Sequence, residues 1–561
     1  MDTSQFRVER EAWPDDLLPR EPEFPLDGAP VHEHVRAQAS ERPTDPAVTF
    51  YGRTLSWADL DEQVSRFAAA LCERGHDGEV CALYLQNCPQ FYVAYFGAHR
   101  AGATVAPLNP QLRDVALEYL LADNDAAALV THPDQLSTVA AVEDDVSLSD
   151  VFVVQYREYA AVPDSPIPVH EVVTGEDPVP TGRTGFADAL ASADPDRSFP
   201  EPAPDDRALL QYTGGTTGMP KGCVHTHWNV TYKAVVRSQA PNEDAVQLAV
   251  MPVFHVAGKV GAVDAPAIAG RHVVVLPRYT PRATMAAVDA YGATSTWLTV
   301  PMAAEIAEAA ERDGAYDLTS LSANRDVMTV TSFGTSLTAD LSRRWAALTG
   351  ARLSEGGYGL SETHTGDAHT VGLDHVEPGF VGQPTYGVEV EIRDFETNEP
   401  LPTGEEGEIV LYTPSTMERY HDRPEATAAV LEDDGALHTG DVGRRTEEGF
   451  LYFLGRRKDA LKVSGHTVSP REVEYAIEES GLVTDALVVG RDHETRGQVL
   501  EAHVVPADGE TAVESALLAW ADEHLAEFKR PKSVVVRESF PRTDLGKVDR
   551  AAYRERLDGT E

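Results

Sequence analysis

The stretch YTGGTTGMPKG, residues 212–222, places four glycines, three threonines and one lysine directly behind the short apolar run RALLQY, residues 207–212. The apolar run predicts a buried strand, so the glycines begin where a strand ends. Glycine lets backbone N–H groups converge on an anion, and the threonine hydroxyls and Lys221 add donors and positive charge. The stretch therefore predicts a phosphate-binding loop on an α/β fold.

The loop differs from the common nucleotide-binding P-loop, G-x-x-x-x-G-K-[ST]. Pro220 precedes the lysine where that motif needs glycine, and Gly222 follows it where the motif needs serine or threonine. The phosphate chemistry is therefore not that of the common P-loop. A flexible glycine linker is the competing interpretation, and the ordered strand before the loop argues against it.

Helical and strand patterns alternate on both sides of the loop. Residues 30–135 hold several such alternations, and residues 245–300 repeat the rhythm. This alternation implies βαβ units and a mostly parallel sheet, so we predict an α/β fold class. Residues 137–207 are rich in Asp, Pro, Ser and Glu and are expected to form a surface excursion.

From about residue 378, closely spaced strands replace the alternation, and a final α+β unit closes the chain. We predict a large N-terminal domain over residues 1–455, whose β-rich subdomain covers about 378–455. A hinge at 456–458 is then expected to lead into a small mobile C-terminal domain over 459–561.

The chain carries a formal net charge of −44 spread along its 561 residues. Such a surface disfavours nucleic acid and anionic membranes as partners. Only eight of the 47 basic residues are lysine, and an acidic, lysine-poor surface suits concentrated salt, where charge repulsion is screened. We therefore expect a halophilic protein. No apolar run is long enough to span a membrane and no signal-peptide pattern is present, so we expect a cytoplasmic location.

The few lysines that remain mark the glycine-rich loops. Lys221 lies in the opening loop, Lys458 follows a Gly-Arg-Arg turn, and Lys547 lies in a turn near the C-terminus. Lysine that is kept in such loops, in a chain that otherwise avoids it, indicates a functional charge. Lys233 is instead expected to be a solvated surface residue.

Two further glycine-rich stretches carry groups suited to a nucleotide. In EGGYGLSETHTG, residues 355–366, Tyr358 is suited to stack on a base, and Glu362 is a hard oxygen ligand of the kind that Mg²⁺ uses beside phosphates. In LHTGDVG, residues 437–443, Asp441 is suited to hold both hydroxyls of a ribose, although an Asx-turn explains it equally well.

The last two stretches lie in the C-terminal part. GRRKDALKVSGHTVSPREVE, residues 455–474, joins a basic turn to a helix and is typical of a charged hinge. PRTDLGKVDR, residues 541–550, places Lys547 in a turn from which it can neutralise charge on a reacting phosphate. A solvated turn lysine is the alternative.

These five stretches, in this order, resemble the adenylate-forming (AMP-binding) superfamily of acyl-CoA synthetases, carrier-protein adenylation domains and luciferases. The resemblance covers about residues 30–555 and rests on TGGTTGMPKG, YGLSE, TGD, the GR-x-x-D-x-x-K-x-x-G pattern and PRTDLGKVDR. Such enzymes form an acyl-adenylate from a carboxylic acid and ATP, release pyrophosphate, and pass the acyl group to a thiol. The resemblance implies ATP and Mg²⁺, with coenzyme A as the thiol substrate.

By resemblance, each group of residues takes a role. The β- and γ-phosphates of ATP would contact Thr213, Gly214, Gly215, Thr216, Thr217, Gly218 and Lys221. Adenine and the α-phosphate would contact Gly356, Gly357, Tyr358, Gly359 and Ser361. Mg²⁺ would contact Glu362 and Thr213, and the ribose would contact Asp441 and Arg456. The catalytic set would be Lys547, Glu362 and His255, the hinge Lys458, and the coenzyme A contacts Ser464, Gly465 and His466.

The acyl pocket is expected where PVFHVAGK, residues 252–259, matches the superfamily segment beside the acyl site. Its implied walls are His255, Val256, Gly258, Gly334, Leu360 and His364. Several of these residues are small, which favours an elongated tunnel, and no fixed charge demands a second charge on the substrate. We therefore predict a medium- to long-chain fatty acid and a role in lipid metabolism.

Other functions remain open on the sequence. An aryl acid is the next substrate to consider, and a carrier-protein thiol is the alternative acceptor. A nucleotide-binding protein without catalysis is disfavoured because Lys221 and Lys547 are both present. A homodimer is compatible with the sequence.

Overall fold

The computed structural model describes residues 3–558 apart from several short stretches. The stretches outside this description are 176–177, 214–218, 240–244, 324–328, 332–336, 356, 374, 376, 378, 460, 464–465, 469, 494–496, 508–512 and 543–547.

Helices occur along the whole chain. Their bounds are α1 Val31–Glu41, α2 Trp57–Glu73, α3 Pro89–Arg100, α4 Asp114–Asp123, α5 Leu136–Val142, α6 Glu171–Thr174, α7 Phe186–Ser192, α8 His227–Ser238, α9 Val256–Lys259, α10 Ala265–Ala269, α11 Pro281–Tyr291, α12 Val300–Asp313, α13 Ala339–Thr349, α14 Pro424–Ala428, α15 Pro470–Glu479, α16 Val513–His524 and α17 Arg550–Asp558. A π-turn, Val260–Asp264, joins α9 to α10. None of these described helices is long and apolar enough to cross a membrane.

The strands alternate with helices up to α13 and then follow one another closely. Their bounds are β1 Pro46–Phe50, β2 Arg53–Ser56, β3 Val80–Tyr84, β4 Thr104–Leu108, β5 Ala126–Thr131, β6 Asp150–Val153, β7 Thr184–Gly185, β8 Arg207–Tyr212, β9 Gly222–Thr226, β10 Val246–Ala249, β11 His272–Val275, β12 Ser295–Thr299, β13 Thr329–Thr331, β14 Ser354–Glu355, β15 Ala368–His369, β16 Phe380–Pro384, β17 Glu389–Arg393, β18 Gly407–Tyr412, β19 Arg419–Tyr420, β20 Leu437–Arg445, β21 Leu451–Arg456, β22 Leu461–Val463, β23 His466–Val468, β24 Val483–His493, β25 Gly497–Pro506 and β26 Ser533–Val536.

Two largely parallel sheets form most of the N-terminal part. The first has the order β19-β9-β8-β4-β3-β5-β6-β7, in which β3 to β8 run parallel and β9 runs antiparallel to β8. The second has the order β14-β13-β12-β10-β11-β1-β2, with only β2 antiparallel. Every residue of α3 is buried, as expected for a helix covered on all sides. The α/β prediction is confirmed.

The expected surface excursion at residues 137–207 is wrong for part of its length. Strands β6 and β7 pair in parallel as the last strands of the first sheet. Phe152 and Phe186 lie in the main hydrophobic core, each with 0% of its surface exposed. The acidic residues around them hid the apolar strand β6, because its four residues are too few to give a clear pattern.

The later strands form two smaller sheets. An antiparallel sheet, β15-β16-β21-β20-β18-β17, packs its own apolar core. The last sheet has the order β23-β22-β25-β24, with β26 parallel to β25, and α15 contacts β24. The edge strand β19 leaves the antiparallel region to pair with β9 of the first sheet. This exchange brings the later part of the chain against the opening loop.

Candidate functional site

The opening loop connects β8 to β9, which form a hairpin in which Tyr212 lies opposite Gly222. The two ends of the loop are bonded to each other. The Thr213 amide donates to the Lys221 carbonyl over 3.0 Å, and the Lys221 amide donates to the Thr213 hydroxyl over 3.2 Å. The predicted phosphate contacts Gly214, Gly215, Thr216, Thr217 and Gly218 lie outside the described residues. The hairpin therefore fixes the base from which the loop extends.

Lys221 and Glu362 meet through Tyr420, a residue that the sequence analysis missed. The Lys221 ammonium lies 4.1 Å from the centroid of the Tyr420 ring, and the Tyr420 hydroxyl donates to Glu362 Oε1 over 2.6 Å. Pairing of β19 with β9 sets Tyr420 opposite Cys223, two residues beyond Lys221. Burial and the neighbouring carboxylate raise the pKa of Tyr420, so the hydroxyl remains a donor. An aromatic residue outside any glycine-rich loop gave no sequence pattern that could identify it.

Tyr358, Asp441 and Arg456 form a second group. Tyr358 donates its hydroxyl to Asp441 Oδ2 over 2.6 Å, and Arg456 Nε lies 2.7 Å from Asp441 Oδ1. Pairing of β20 with β21 places Asp441 directly opposite Arg456. Burial raises the pKa of Asp441 to about 6, although the Arg456 charge opposes this shift. Asp441 is therefore a buried carboxylate held between a phenol and a guanidinium, not a solvated turn residue.

The glycines beside Tyr358 serve the turn itself. A Cβ on Gly357 would lie 2.1 Å from the Ala368 carbonyl oxygen, and Gly357 has a φ of +102°. A Cβ on Gly359 would lie 2.3 Å from the Gly366 amide nitrogen. A side chain at either position would therefore collide with the chain's own backbone, and the predicted contacts of these glycines with the nucleotide stay a prediction. Gly356 lies outside the described residues.

Three buried basic side chains hold the segment 358–367 in place. His225 on β9 donates Nε2 to the Ser361 carbonyl over 2.7 Å. Lys233 on α8 donates to Asp367 Oδ1 over 2.7 Å, and Lys259 Nζ lies 3.2 Å from His364 Nε2. Lys233 has 1% of its surface exposed, so its assignment to the solvated surface is wrong.

Lys259 lies in a buried polar cluster, here the Lys259 cluster, made of Lys259, Asp264, His364 and Tyr95. Lys259 Nζ donates to Asp264 Oδ2 over 2.8 Å and to the Tyr95 hydroxyl over 3.3 Å. The π-turn places Lys259 and Asp264, five residues apart, on one face, as its i→i+5 hydrogen bonds require. Burial lowers the pKa of Lys259 and of His364, so His364 is neutral and its ring nitrogen accepts from the ammonium.

The predicted acyl-pocket residues are placed in different ways. His364 has 0% of its surface exposed and belongs to the Lys259 cluster, so it does not form an open wall. A Cβ on Gly258 would lie 2.1 Å from the Pro252 carbonyl oxygen, so close backbone packing, not tunnel space, explains this glycine. His255 caps α9 by accepting from the Ala257 amide over 3.3 Å. Val256 is buried, Leu360 packs against the antiparallel sheet, and Gly334 lies outside the described residues.

The C-terminal candidates are described only in part. Lys458 is exposed, and partial desolvation together with the Arg456 charge lowers its pKa. Arg554 on α17 lies 3.4 Å from Asp459, beside the predicted hinge. His466 begins β23. Ser464, Gly465 and Lys547 lie outside the described residues.

The donor groups suit Mg²⁺ with phosphates. Mg²⁺ in proteins keeps several waters and uses one or two carboxylates together with substrate phosphates. Glu362 offers a half-buried carboxylate next to Lys221, at the base of the loop that also carries Thr213. The residues present therefore fit the ion that the resemblance implies.

The chain matches two family models. Residues 35–421 match the model described as AMP-binding enzyme, and residues 472–547 match the model described as AMP-binding enzyme C-terminal domain.

Relatives and solved structures resemble it over almost its whole length. A long-chain-fatty-acid–CoA ligase of Bacillus subtilis is 31% identical over 543 residues, which cover 94% of each chain. A crotonobetaine/carnitine–CoA ligase of Citrobacter koseri is 32% identical over 513 residues, covering 88% of this chain and 92% of that one. The crystal structure of ATP-bound MatB from Rhodopseudomonas palustris superimposes with a TM-score of 0.79 at 26% identity, covering 95% of this chain and 99% of that one. The resemblance expected from the motifs is confirmed, and the chain belongs to the family of AMP-binding enzymes.

Proposed function

We propose that this enzyme is an ATP-dependent acid–CoA ligase that activates a medium- to long-chain fatty acid through an acyl-adenylate. The observation that carries the proposal is the connection of Lys221, Tyr420 and Glu362 at the base of the phosphate loop. It places a cation and a carboxylate together where a triphosphate and its metal need both. The relatives named as CoA ligases support the reaction class.

In the first half-reaction, a carboxylate oxygen of the acid attacks the α-phosphorus of ATP and pyrophosphate leaves. We assign the β- and γ-phosphates to the loop from Thr213 to Lys221. Asp441 and Arg456 would hold the ribose, and Tyr358 would lie against the base. Both reactants are anions, so the cations of the site lower the barrier by neutralising the charge that develops. Mg²⁺, held by Glu362 and Thr213, would supply further positive charge at the phosphates.

Lys547 is assigned to the same half-reaction, where it would bridge the acid and the α-phosphate. In the second half-reaction the coenzyme A thiol, having lost its proton, attacks the acyl carbon, and AMP leaves. This attack needs space that Lys547 would occupy, so we assign Lys458 as the hinge on which the C-terminal part turns. Ser464, Gly465 and His466 would then contact the pantetheine arm.

An uncharged acyl tail is supported by the pairing of the buried charges. Lys259 is the basic residue of the segment matched to the acyl site, and Asp264 neutralises it at 2.8 Å. A substrate with a second carboxylate would therefore find this ammonium already paired. An aryl acid satisfies the same condition and remains the alternative, as does a carrier-protein thiol for the acceptor.

A panel of acids from acetate to palmitate, with benzoate and its derivatives, tests the substrate proposal. AMP release that depends on both acid and coenzyme A should be fastest with fatty acids of medium to long chain. A higher kcat/KM for benzoates would replace the fatty-acid proposal by the aryl one. AMP release that requires a carrier protein and does not depend on coenzyme A would make the carrier-protein thiol the acceptor.

Lys547→Ala tests the division of labour. We expect acid-dependent ATP–pyrophosphate exchange to be nearly abolished, while thioester formation from supplied acyl-adenylate survives. Lys532→Ala, at an exposed lysine of the same region, is the matched control. Equal loss of both half-reactions in a folded variant would contradict the role of Lys547.

We also propose that the enzyme is halophilic. The proposal rests on the net charge of −44 and the scarcity of lysine, because self-repulsion on this scale is relieved by screening. Activity and the thermal unfolding temperature should both rise as KCl is raised toward molar concentrations. A protein that loses its fold and activity in concentrated KCl would contradict it.

A further inference from the structure

Three histidines from three separate helices meet in the core, where the centroid of the His99 ring lies 4.4 Å from that of the Tyr95 ring in the Lys259 cluster. They are His32 on α1, His99 on α3 and His227 at the start of α8. Each has 1% or less of its surface exposed. One ring nitrogen from each lies within 4.8 Å of the corresponding nitrogens of the other two. The three side chains therefore converge on a single point.

Several nitrogens in this cluster have no hydrogen-bond partner. The His99 ring nitrogens, Nδ1 of His32 and Nδ1 of His227 are buried without a hydrogen bond of ordinary geometry, although the Ala208 backbone lies close enough to His99 to act on its ring. Buried polar atoms are almost always bonded, so a group of unbonded nitrogens facing one another calls for a ligand. A ligand shared by all three must accept electron pairs from nitrogen.

One histidine of the cluster is held by a carboxylate on its outer side, as metal-binding histidines usually are. His32 Nε2 lies 3.2 Å from Glu33 Oε1. A carboxylate on the outer nitrogen of a ligating histidine fixes the ring and raises its basicity, and it leaves Nδ1 of His32 for the metal.

The surrounding charges allow a cation. Arg36, Arg100 and Lys259 are the basic residues whose charges act on His32 and His99, and each is paired with a carboxylate. Arg100 lies 2.6 Å from Asp61, and Lys259 lies 2.8 Å from Asp264. Arg36 lies 3.0 Å from Glu33 at the edge of the cluster.

We propose that His32, His99 and His227 form a buried binding site for one Zn²⁺ ion. Three imidazole nitrogens with a water in the fourth position are a common Zn²⁺ ligand set. Zinc–nitrogen bonds of about 2.0–2.1 Å place tetrahedral ligand nitrogens roughly 3.4 Å apart, so nitrogens that now lie within 4.8 Å of one another must close by up to about 1.4 Å. The ion would tie α1 and α3 to α8, which continues directly from β9 and thus from the phosphate loop. The site is separate from the Mg²⁺ that would accompany ATP.

The test compares the zinc content of His99→Phe with that of His34→Phe, a control variant on the same helix as His32. The purified full-length enzyme is stripped with a chelator, titrated with ZnCl₂ alone, and desalted before its zinc content is measured. Wild-type enzyme and His34→Phe, which removes a buried histidine outside the cluster, should each retain one equivalent. His99→Phe and His227→Phe should lose that equivalent, and Zn²⁺ should raise the unfolding temperature only of the two proteins that retain it.

Co²⁺ added to the stripped wild-type enzyme provides a measurement that does not depend on any variant folding. Occupation of the site should give visible ligand-field absorption that saturates at one equivalent and is displaced by Zn²⁺. Absence of that absorption, or equal zinc retention by wild type and a folded His99→Phe enzyme, would overturn the proposal. Neither result depends on the ligase reaction, so this proposal can fail while the proposed function stands.

Discussion

Replacing Lys259 by methionine should strongly destabilise the N-terminal part. Lys259 and Asp264 are both fully buried, with 2.8 Å between Nζ and Oδ2. Methionine keeps the length of the side chain but leaves the Asp264 carboxylate without its counter-charge. Removing one partner of a buried ion pair costs about 3–5 kcal/mol. The variant also loses the hydrogen bonds to Tyr95 and His364. We therefore expect the free energy of unfolding to fall by an amount in that range.

The assay is urea unfolding followed by tryptophan fluorescence, with Lys532→Met as the exposed-lysine control. That control should change the free energy of unfolding by less than about 0.5 kcal/mol. The double variant Lys259→Met/Asp264→Leu should recover much of the loss, because replacing both partners by apolar groups leaves no unpaired charge. The reasoning would be refuted if Lys259→Met lowered the free energy of unfolding no more than the control does. It would also be refuted if the double variant lowered it by the sum of the two single losses.

The same variant should acquire a characteristic pH dependence. Burial raises the pKa of Asp264 above that of an unfolded aspartate. A folded-state pKa that is raised favours the folded state at pH values below the unfolded pKa, and this contribution is lost as the pH rises through the folded pKa. The destabilisation of Lys259→Met should therefore be smallest in acid and grow as the pH rises. A loss that is constant with pH would contradict an unpaired carboxylate as its cause.

Three further outcomes are expected. Tyr420→Phe keeps the ring beneath Lys221 but removes the hydrogen bond to the Glu362 carboxylate, a contact worth about 1.5–3 kcal/mol. The Kd for MgATP, measured by calorimetry, should rise by at least about 10-fold, and an unchanged Kd would remove Tyr420 from the site. Burial raises the pKa of Asp441 to about 6, so ATP affinity should fall as the pH drops below about 6 and the carboxylate is protonated. The stability that Asp441 contributes to folding should instead be lost as the pH rises through about 6. Asp441→Asn should abolish both dependences. Gly357→Ala should lower the unfolding temperature, because its Cβ would lie 2.1 Å from a carbonyl oxygen, and an unshifted temperature would contradict the close packing.

Much of the site could be predicted from the sequence because its parts lie in short local patterns. The strand, glycine loop and lysine of the opening stretch give the hairpin base that joins Thr213 and Lys221. Asp441 was singled out from its own glycine-flanked turn and Arg456 from the family resemblance, and the pairing of β20 with β21 brings them together. The motifs therefore indicated two residues whose mutual contact depends on the sheet.

The contacts that hold these motifs in place could not be predicted. Tyr420 reaches the site only because β19 pairs with β9, and a two-residue strand has no periodicity to detect. Lys233 pairs with Asp367, which is far away in sequence, and Asp264 meets Lys259 through a π-turn. Neither contact is visible in a helical pattern. Gly258 was assigned to the acyl pocket and Gly357 to the nucleotide, but the sequence did not show that a Cβ at either position would collide with the chain's own backbone.

The central claim, an acyl-adenylate intermediate, is tested most directly by following a labelled oxygen. The fatty acid is supplied with a heavy oxygen isotope in both carboxyl positions, together with ATP and coenzyme A, and the products are examined by mass spectrometry. If the carboxylate attacks the α-phosphorus and the thiol then attacks the acyl carbon, the AMP released should carry one labelled oxygen and the pyrophosphate none. Label in inorganic phosphate with ADP as the nucleotide product, or AMP without label, would contradict the account.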